Sequence, residues 1–551
     1  MSATDTAPVQ QDPSPPSPAP PPAPSEWRVA RAVGRVEARH LLTVALVPAA
    51  LGALMSVGYG GDLIDLRSVS FNAAFNLLLL AAVTLVASHR AVTRARRDGS
   101  EELLGATPAP ARARTAGHLL AVLAPTALGA AVTGFSSAAL FRQTATVGDP
   151  VLSELAVGPV LVAGAGCLGV LLARVWPQPF TPYLACLAIA VAELGVNTPV
   201  FADSGLRWLV FWVEGTLWWL LPRHSGPHLA YLLGLVAMAV VGALARHGVT
   251  RRLAAAAVVA VAVTVVAAGV QMRQPQEEWR AANAMFAAPE SVQTCWSRKG
   301  VRYCAFPRFE EVMEHVSQAV ASVRAVTPEE AWPSGLAVTQ RVTAVDLEYA
   351  GAAADALSHV VDMPRGRVRQ PDDGELHPAL EFGWSTVQEL GFGVQLGAKA
   401  VGLPVVPEPR TGEVCLATNQ ARAVVALWLG GHATDDAGAG LAWLVERASE
   451  AAAARGGAVH DAVFPIAEVD VYGGFVVSLD DARLALELLR RDSTEVAARL
   501  AEHWDVASRP TTTSAELARL AGVPVPVGGA PRAPFVAHMD PDLVRLGAPC
   551  R

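Results

Sequence analysis

Lysine is nearly missing from this sequence: among 43 basic residues only Lys299 and Lys399 are not arginine. Together with the abundance of Ala, Val and Pro, this marks translation from a GC-rich genome, so the shortage carries no functional meaning. Charge is scarce too. Only 17% of the 551 residues are Asp, Glu, Lys or Arg while 52% are hydrophobic, too apolar for a soluble globular chain and suited to one that is half membrane, half soluble. A net charge of -7 leaves no basic face for nucleic acid, which excludes that partner class. A secretory signal is lacking as well, because Met1–Ser25 is a Pro/Ala/Ser/Gln tract without an apolar core or a basic start. Runs such as Pro20, Pro21 and Pro22 keep the backbone extended and solvated, so residues 1–26 read as a disordered cytoplasmic tail.

Several catalytic signatures are also missing. A phosphate-binding loop ends in Gly-Lys-Ser/Thr, but Gly300 follows Lys299 and Ala400 follows Lys399, so any ATPase must be a separate subunit. Zinc hydrolysis needs His-Glu-x-x-His; His432 is followed by Ala433, Thr434 and Asp435, and His315, His359, His377 and His460 lack a second His at that spacing. No Gly-x-Ser-x-Gly elbow presents a serine nucleophile. The chain is therefore expected not to be an enzyme by itself and to need no cofactor or metal.

What is present in quantity is apolar runs of bilayer length, about 20 residues each, between Leu41 and Val270. Seven spans are expected: Leu41–Gly60, Val69–Ser88, Leu119–Phe141, Leu155–Ala173, Phe180–Val200, Leu229–Ala245 and Leu253–Val270. The fourth and sixth are shortest, so counts of six or eight stay open, with Leu206–Leu221 as the extra segment. Residues 27–272 thus form a membrane domain and 273–551 a soluble one.

Arginine placement sets the orientation, since cytoplasmic loops retain positive charge. Arg28, Arg31, Arg35 and Arg39 precede the first span; Arg90, Arg94, Arg96, Arg97, Arg112 and Arg114 follow the second; Arg246, Arg251 and Arg252 separate the last two. The opposite loops hold only Arg67, Arg142, Arg207 and Arg223. An inside amino terminus and an odd number of spans place residues after Val270 outside, in a cell membrane protein that crosses the bilayer repeatedly. Trp208, Trp212, Trp218 and Trp219 belong at the headgroup level of the outer leaflet, as a lipid anchor or as a substrate gate. Glu193, with Asn197 one turn later, interrupts an apolar span; it lines a substrate path or is a hydrogen-bonded packing residue.

The longest inside loop, His89–His118, reads HRAVTRARRDGSEELLGATPAPARARTAGH. Ser100 ahead of Glu101 and Glu102 signals a helix start, and Pro108 and Pro110 a stop. The run Arg96, Arg97, Asp98, Gly99, then Glu101, Glu102, Leu103, then Ala106, Thr107, Pro108 and Arg112 resembles the loop between the second and third spans of permease subunits of ATP-binding-cassette (ABC) transporters of the type 2 exporter class, in their actinobacterial members. The likeness extends to an amphipathic lead-in segment, Val29–His40, with Glu37 and Arg39, and loosely covers the membrane half. It implies that this segment and loop contact a separate ABC ATPase subunit and couple it to transport, in an assembly of two permease and two ATPase chains. A basic surface loop that obeys only the positive-inside rule is the alternative. The family core usually has six spans with both ends inside, so a seventh span carrying an external domain is a departure that weakens any inference of ordinary drug export.

From Gln271 the composition changes to that of a folded soluble domain, mainly helical α+β. Gln274–Ala288 is expected to leave the membrane as a helix. Next comes Cys295-Trp-Ser-Arg-Lys-Gly-Val-Arg-Tyr-Cys304. With Lys299 and Gly300 as a two-residue turn, counting outward pairs Arg298 with Val301, Ser297 with Arg302, Trp296 with Tyr303 and Cys295 with Cys304. The cysteines then meet at a non-hydrogen-bonded site, close enough for a disulfide, which by itself supports an outside location. Cys415 and Cys550 are available for a second bridge, with no local argument for it; Cys167 and Cys186 read as intramembrane packing residues. Helices are expected at Thr418–His432, Gly438–Arg455, Leu479–Arg491, Ser493–His503 and Ser514–Ala521, and strands near Leu336–Val342 and Val469–Val477. The order of permease, Cys-bearing hairpin and helical carboxy-terminal region also resembles exporters fused to an aminopeptidase-like, gluzincin domain. Two alternatives to transport thus stand: a membrane-anchored external binding or scaffold protein, and a degenerate zinc-peptidase-like domain tethered to the membrane.

Overall fold

The structure is a computed structural model, and it describes residues 25–57, 63–65, 73–100, 102, 110–141, 145–147, 151–196, 209–210, 225–273, 281, 285, 288–341, 375–378, 386–405, 413–454, 462–465, 475–525, 535–536 and 545–551. A bundle of long apolar helices comes first. Its elements are α1 (Glu26–Val57), α2 (Leu78–Arg97), α3 (Ala111–Ala121), α4 (Leu123–Phe141), α5 (Leu152–Leu155), α6 (Val157–Val175), α7 (Thr181–Val196), α8 (Ser225–Ala245) and α9 (Arg251–Arg273). Two short strands, β1 (Leu63–Asp65) and β2 (Ala145–Val147), pair in parallel between the loops after α1 and α4.

Among the described residues six stretches are long and apolar enough to cross a membrane: Glu26–Ser56, Ala73–Arg97, Ala111–Ala139, Leu152–Val175, Ser225–Ala245 and Arg251–Met272. The expected fifth span, Phe180–Val200, falls on α7, whose described part is apolar and 16 residues long; residues 197–200 lie outside the described residues. Leu46, Val47, Leu54, Leu187, Leu194, Val258 and Val265 are exposed on the outer faces of these helices. That surface suits hydrocarbon rather than water.

Proline explains two breaks in the bundle. Pro125 and Pro159 stand third in α4 and α6, where each lacks the N–H that would bond the carbonyl one turn back, at Ala121 and Leu155. The helix interrupts between those carbonyls and the prolines, at Val122 and Ala156, so α3–α4 and α5–α6 are bent spans. The lead-in segment Val29–His40 is not a separate surface helix. It continues without interruption into the first span, giving 32 residues and a length of about 48 Å.

The second half is a mixed α+β domain. A three-stranded sheet holds β3 (Thr294–Arg298), β4 (Val301–Ala305) and β5 (Ala337–Thr339), with β3 antiparallel and β5 parallel to β4. The hairpin register is the expected one at every pair, from Arg298↔Val301 to Cys295↔Cys304, and the cysteines form a disulfide. Lys299 (φ 48°) and Gly300 (φ 79°) are both left-handed, as the twist-matched two-residue turn demands. α10 (Glu310–Val326) packs its Val312, Met313, Val316 and Val323 onto this sheet.

A five-stranded sheet completes the domain, in the order β10 (Arg545–Pro549), β6 (Glu413–Leu416), β8 (Phe475–Ser478), β7 (Ala462–Pro465), β9 (Phe535–Val536). Only the β7–β8 pairing is antiparallel. The helices of this part are α11 (Thr386–Ala400), α12 (Ala421–Gly430), α13 (Ala437–Ala454), α14 (Leu479–Leu489), α15 (Ser493–Glu502), α16 (Trp504–Ala507) and α17 (Ser514–Ala521), of which α13 and α14 pack against β7 and α14 also against β8. All ten residues of α12 are buried, which makes it the axis of the core. A second disulfide, Cys415–Cys550, ties β6 to the residue after β10.

Helix starts in this half follow their caps. Ser478 and Thr513 each form a reciprocal capping box, with Asp481 and Glu516. Asp481 does more than cap. It is fully buried, and its carboxyl accepts from the Ser478 hydroxyl at 2.6 Å, the Asn419 amide at 2.9 Å and the Ser514 hydroxyl, drawing together α14, α17 and the turn before α12. Burial raises its pKa above the usual aspartate value, and the donated hydrogen bonds oppose that rise.

Candidate functional site at the arginine-rich end of the bundle

The residues singled out for coupling lie where α1, α2 and α3 meet. Glu37 is the one acid between Arg28 and His40. Its carboxylate receives both guanidinium nitrogens of Arg94, at 3.3 and 3.4 Å, and is 12% exposed. This two-pronged contact bonds the lead-in segment to the last turn of α2. Beside it Ala38, Leu41, Ala87 and Ala121 form a small apolar cluster joining α1, α2 and α3. Gly117 of α3 lets α1 approach: a Cβ there would stand 2.7 Å from the Val33 Cβ and 2.9 Å from the Ala30 carbonyl oxygen. Three segments that sequence alone separates into lead-in helix, loop and span therefore act as one packed corner.

The Arg-Arg-Asp-Gly run has a local physical explanation. Arg94, Arg96 and Arg97 occupy the last turn of α2, where cations complement the negative end of the helix dipole. Asp98 returns its amide to the Arg94 carbonyl at 2.9 Å; Gly99 adopts φ +67° and closes on Arg96; Ser100 bonds Ala95 through its amide at 2.9 Å and its hydroxyl at 3.3 Å. A glycine at this left-handed position is the common device for stopping a helix. Ser100 therefore helps to close α2, and the helix start expected at it runs into residues outside the described ones. Glu102 is helical and exposed. Glu101, Leu103, Ala106, Thr107 and Pro108 lie outside the described residues, so the short helix expected there is left untested.

The rest of the site comes from elements distant in the chain. His247, in the turn between α8 and α9, meets the Thr115 hydroxyl through Nε2 at 2.8 Å. Burial first, then the fields of Arg174, Arg112, Arg114 and Arg246, hold its imidazole below the ordinary histidine pKa, so it stays neutral at pH 7. Arg94, Arg114 and Arg174 also lie within electrostatic reach of His118. The His89 Nε2 is 3.2 Å from the Trp176 carbonyl oxygen, tying α2 to the end of α6. Cations from α2, α3, α6 and the α8–α9 turn thus share one end of the bundle. Arg39, Arg96, Arg97 and Asp98 are exposed there, and Arg97 donates to the Arg90 carbonyl at 3.1 Å.

Sequence reasoning missed Arg174 and the pairing of His247 with Thr115, 132 residues away, because no local pattern marks either. The Glu37–Arg94 pairing did have a signal, a lone acid on an arginine-rich helix face. Glu193 is half-buried on α7, within electrostatic reach of Tyr231 on α8; its proposed neighbour Asn197 lies outside the described residues, as do Trp208, Trp212, Trp218 and Trp219. Comparison of the chain with protein-family models, curated proteins and solved structures returned no match.

Proposed function

We propose that this chain is the permease subunit of a transporter, driven by a separate ATPase subunit that docks on the arginine-rich end of the bundle. A single observation carries the reading. The lead-in part of α1 is one continuous helix with the first span and is bonded to the end of α2 through Glu37 and Arg94. A push on the exposed Arg96–Gly99 corner is therefore delivered to two spans at once, which is what a coupling element needs. A loop that served only the positive-inside rule would not require this half-buried contact. The exposed cations suit an acidic partner surface, and the likeness of the loop to type 2 exporter permeases gives the partner class: an ABC ATPase, in an assembly of two permease and two ATPase chains.

On this reading α1, α2 and the bent spans move relative to one another when the ATPase binds and hydrolyses ATP, and substrate passes between them. Glu193 is assigned to the path on the strength of its chemistry alone. The soluble domain stands outside the cytoplasm, a placement favoured by its two disulfides, which persist in oxidising compartments.

The test is purification of tagged full-length protein in mild detergent, followed by mass spectrometry and an ATPase assay, beside an Arg96→Glu/Arg97→Glu variant. An ATPase that co-purifies with the wild type and falls about tenfold or more in the variant supports docking at this corner; charge reversal at a steered interface has effects of that size. Absence of any ATPase under conditions that keep the protein folded would discard the transport reading and leave the soluble domain as the working part.

A further inference from the structure

The soluble domain holds a small basic cavity that the permease reading does not use. It lies between the disulfide-closed hairpin and α10, has a volume of about 60 Å³, and is lined by Arg298, Lys299, Arg324, Tyr303 and Ser317 among others. That is room for several water-sized atoms. Three cations face it. Glu314 pairs with Arg298 and offsets one of them, leaving an excess of two positive charges around the space.

We propose that this cavity binds a phosphate group. The cations are held before any ligand arrives: Arg298 Nη1 donates to the Ser317 hydroxyl at 3.1 Å, Arg324 Nη1 donates to the Lys299 carbonyl at 2.5 Å, and the Arg324 guanidinium lies 5.4 Å from the Trp332 ring centre. Each guanidinium has five N–H donors, so these contacts leave others for an incoming oxyanion. The Cys295–Cys304 bridge at one end of the hairpin and the Lys299–Gly300 turn at the other fix the strand that carries Tyr303.

Tyr303 supplies the second observation. Tyr303 is only 2% exposed and lines the cavity, with its hydroxyl free to meet a ligand there. Burial pushes its pKa up to about 12, so the phenol stays protonated and able to donate. Two arginines, a lysine and a phenol offer more donors and more charge than one carboxylate can use, whereas the oxygens of a phosphate can accept from all four. The phosphate belongs either to a small solute or to an anionic lipid headgroup; the shared chemistry is the proposal, and it does not depend on the permease reading.

The test uses full-length protein in nanodiscs of neutral phosphatidylcholine, titrated calorimetrically with inorganic phosphate at low salt. Saturable binding is expected, weakened about tenfold by Arg324→Gln and about threefold to tenfold by Tyr303→Phe, and weakened by added salt. Tyr303→Phe retains the ring and the disulfide, so its melting temperature should match the wild type, which separates a lost donor from a lost fold. Repeating the titration in nanodiscs containing phosphatidylglycerol identifies the source. Weaker apparent phosphate binding there, in the wild type but not in Arg324→Gln, supports the site with a lipid headgroup as occupant; unchanged binding supports it with a soluble one. No saturable binding up to about 10 mM phosphate, or equal affinity in an Arg298→Gln/Arg324→Gln variant, would overturn the proposal.

Discussion

Gly117 shows how far one atom can matter in the bundle. The crossing of α1 over α3 leaves no room for a Cβ there, and the nearest obstacles, the Val33 Cβ and the Ala30 carbonyl, cannot rotate away. Gly117→Ala should therefore cost about 1–3 kcal/mol, the range for overpacking a close contact. Gly134→Ala, on α4 where an added Cβ meets nothing within 4 Å, should be neutral or slightly stabilising. Thermal unfolding of both variants in the same detergent checks the pair, and equal effects would mean that the crossing is looser than described. At this scale the sequence was legible where chemistry is local. Glu37 stands out as the lone acid between Arg28 and His40, and it is the residue that Arg94 meets. Arg174 could not be found that way, because its importance comes only from where α6 ends beside α3 and the α8–α9 turn.

Elements divide along the same line. The hairpin was readable in full because a Lys-Gly turn fixes the register and the register brings Cys295 onto Cys304. Helices α12 to α15 and α17 lie where apolar periodicity puts them, to within a few residues, and the capped start of α17 falls on Ser514 as expected. The five-stranded sheet was mostly illegible. Its members are two to five residues long, and three of its four pairings are parallel and join strands that are not consecutive, which depends on contacts far apart in the chain. The continuity of α1 was missed for a different reason: hydropathy changes at Leu41 while the backbone does not. Cys415–Cys550 bridges 135 residues, and nothing near either cysteine announces it. Closing so long a loop constrains the unfolded chain strongly, so Cys550→Ser should lower stability by about 2–5 kcal/mol, read as a fall in melting temperature and the appearance of a titratable thiol. An unchanged melting temperature would mean that β10 holds its place through backbone pairing alone.

The molecule as a whole joins a bundle of spans to a soluble α+β domain, and the proposed function sets the bundle's charged end in the cytoplasm. With that end in the cytoplasm, a membrane-impermeant maleimide applied to intact cells should label Glu311→Cys in the domain and leave Arg251→Cys unlabelled until the cells are opened. The reverse pattern would invert the orientation and remove the ATPase from the proposal. The same arrangement gives the two disulfides different schedules. Cys295 and Cys304 are nine residues apart and can join as soon as the hairpin has crossed the membrane, which removes both thiols from circulation before Cys415 emerges. Cys415 must then wait for 135 further residues, on the order of 10 s at ordinary synthesis rates, with no correct partner available. The spacing of four cysteines thus orders the maturation of the domain in time: the early bond closes without competition, and the late one is left a single choice.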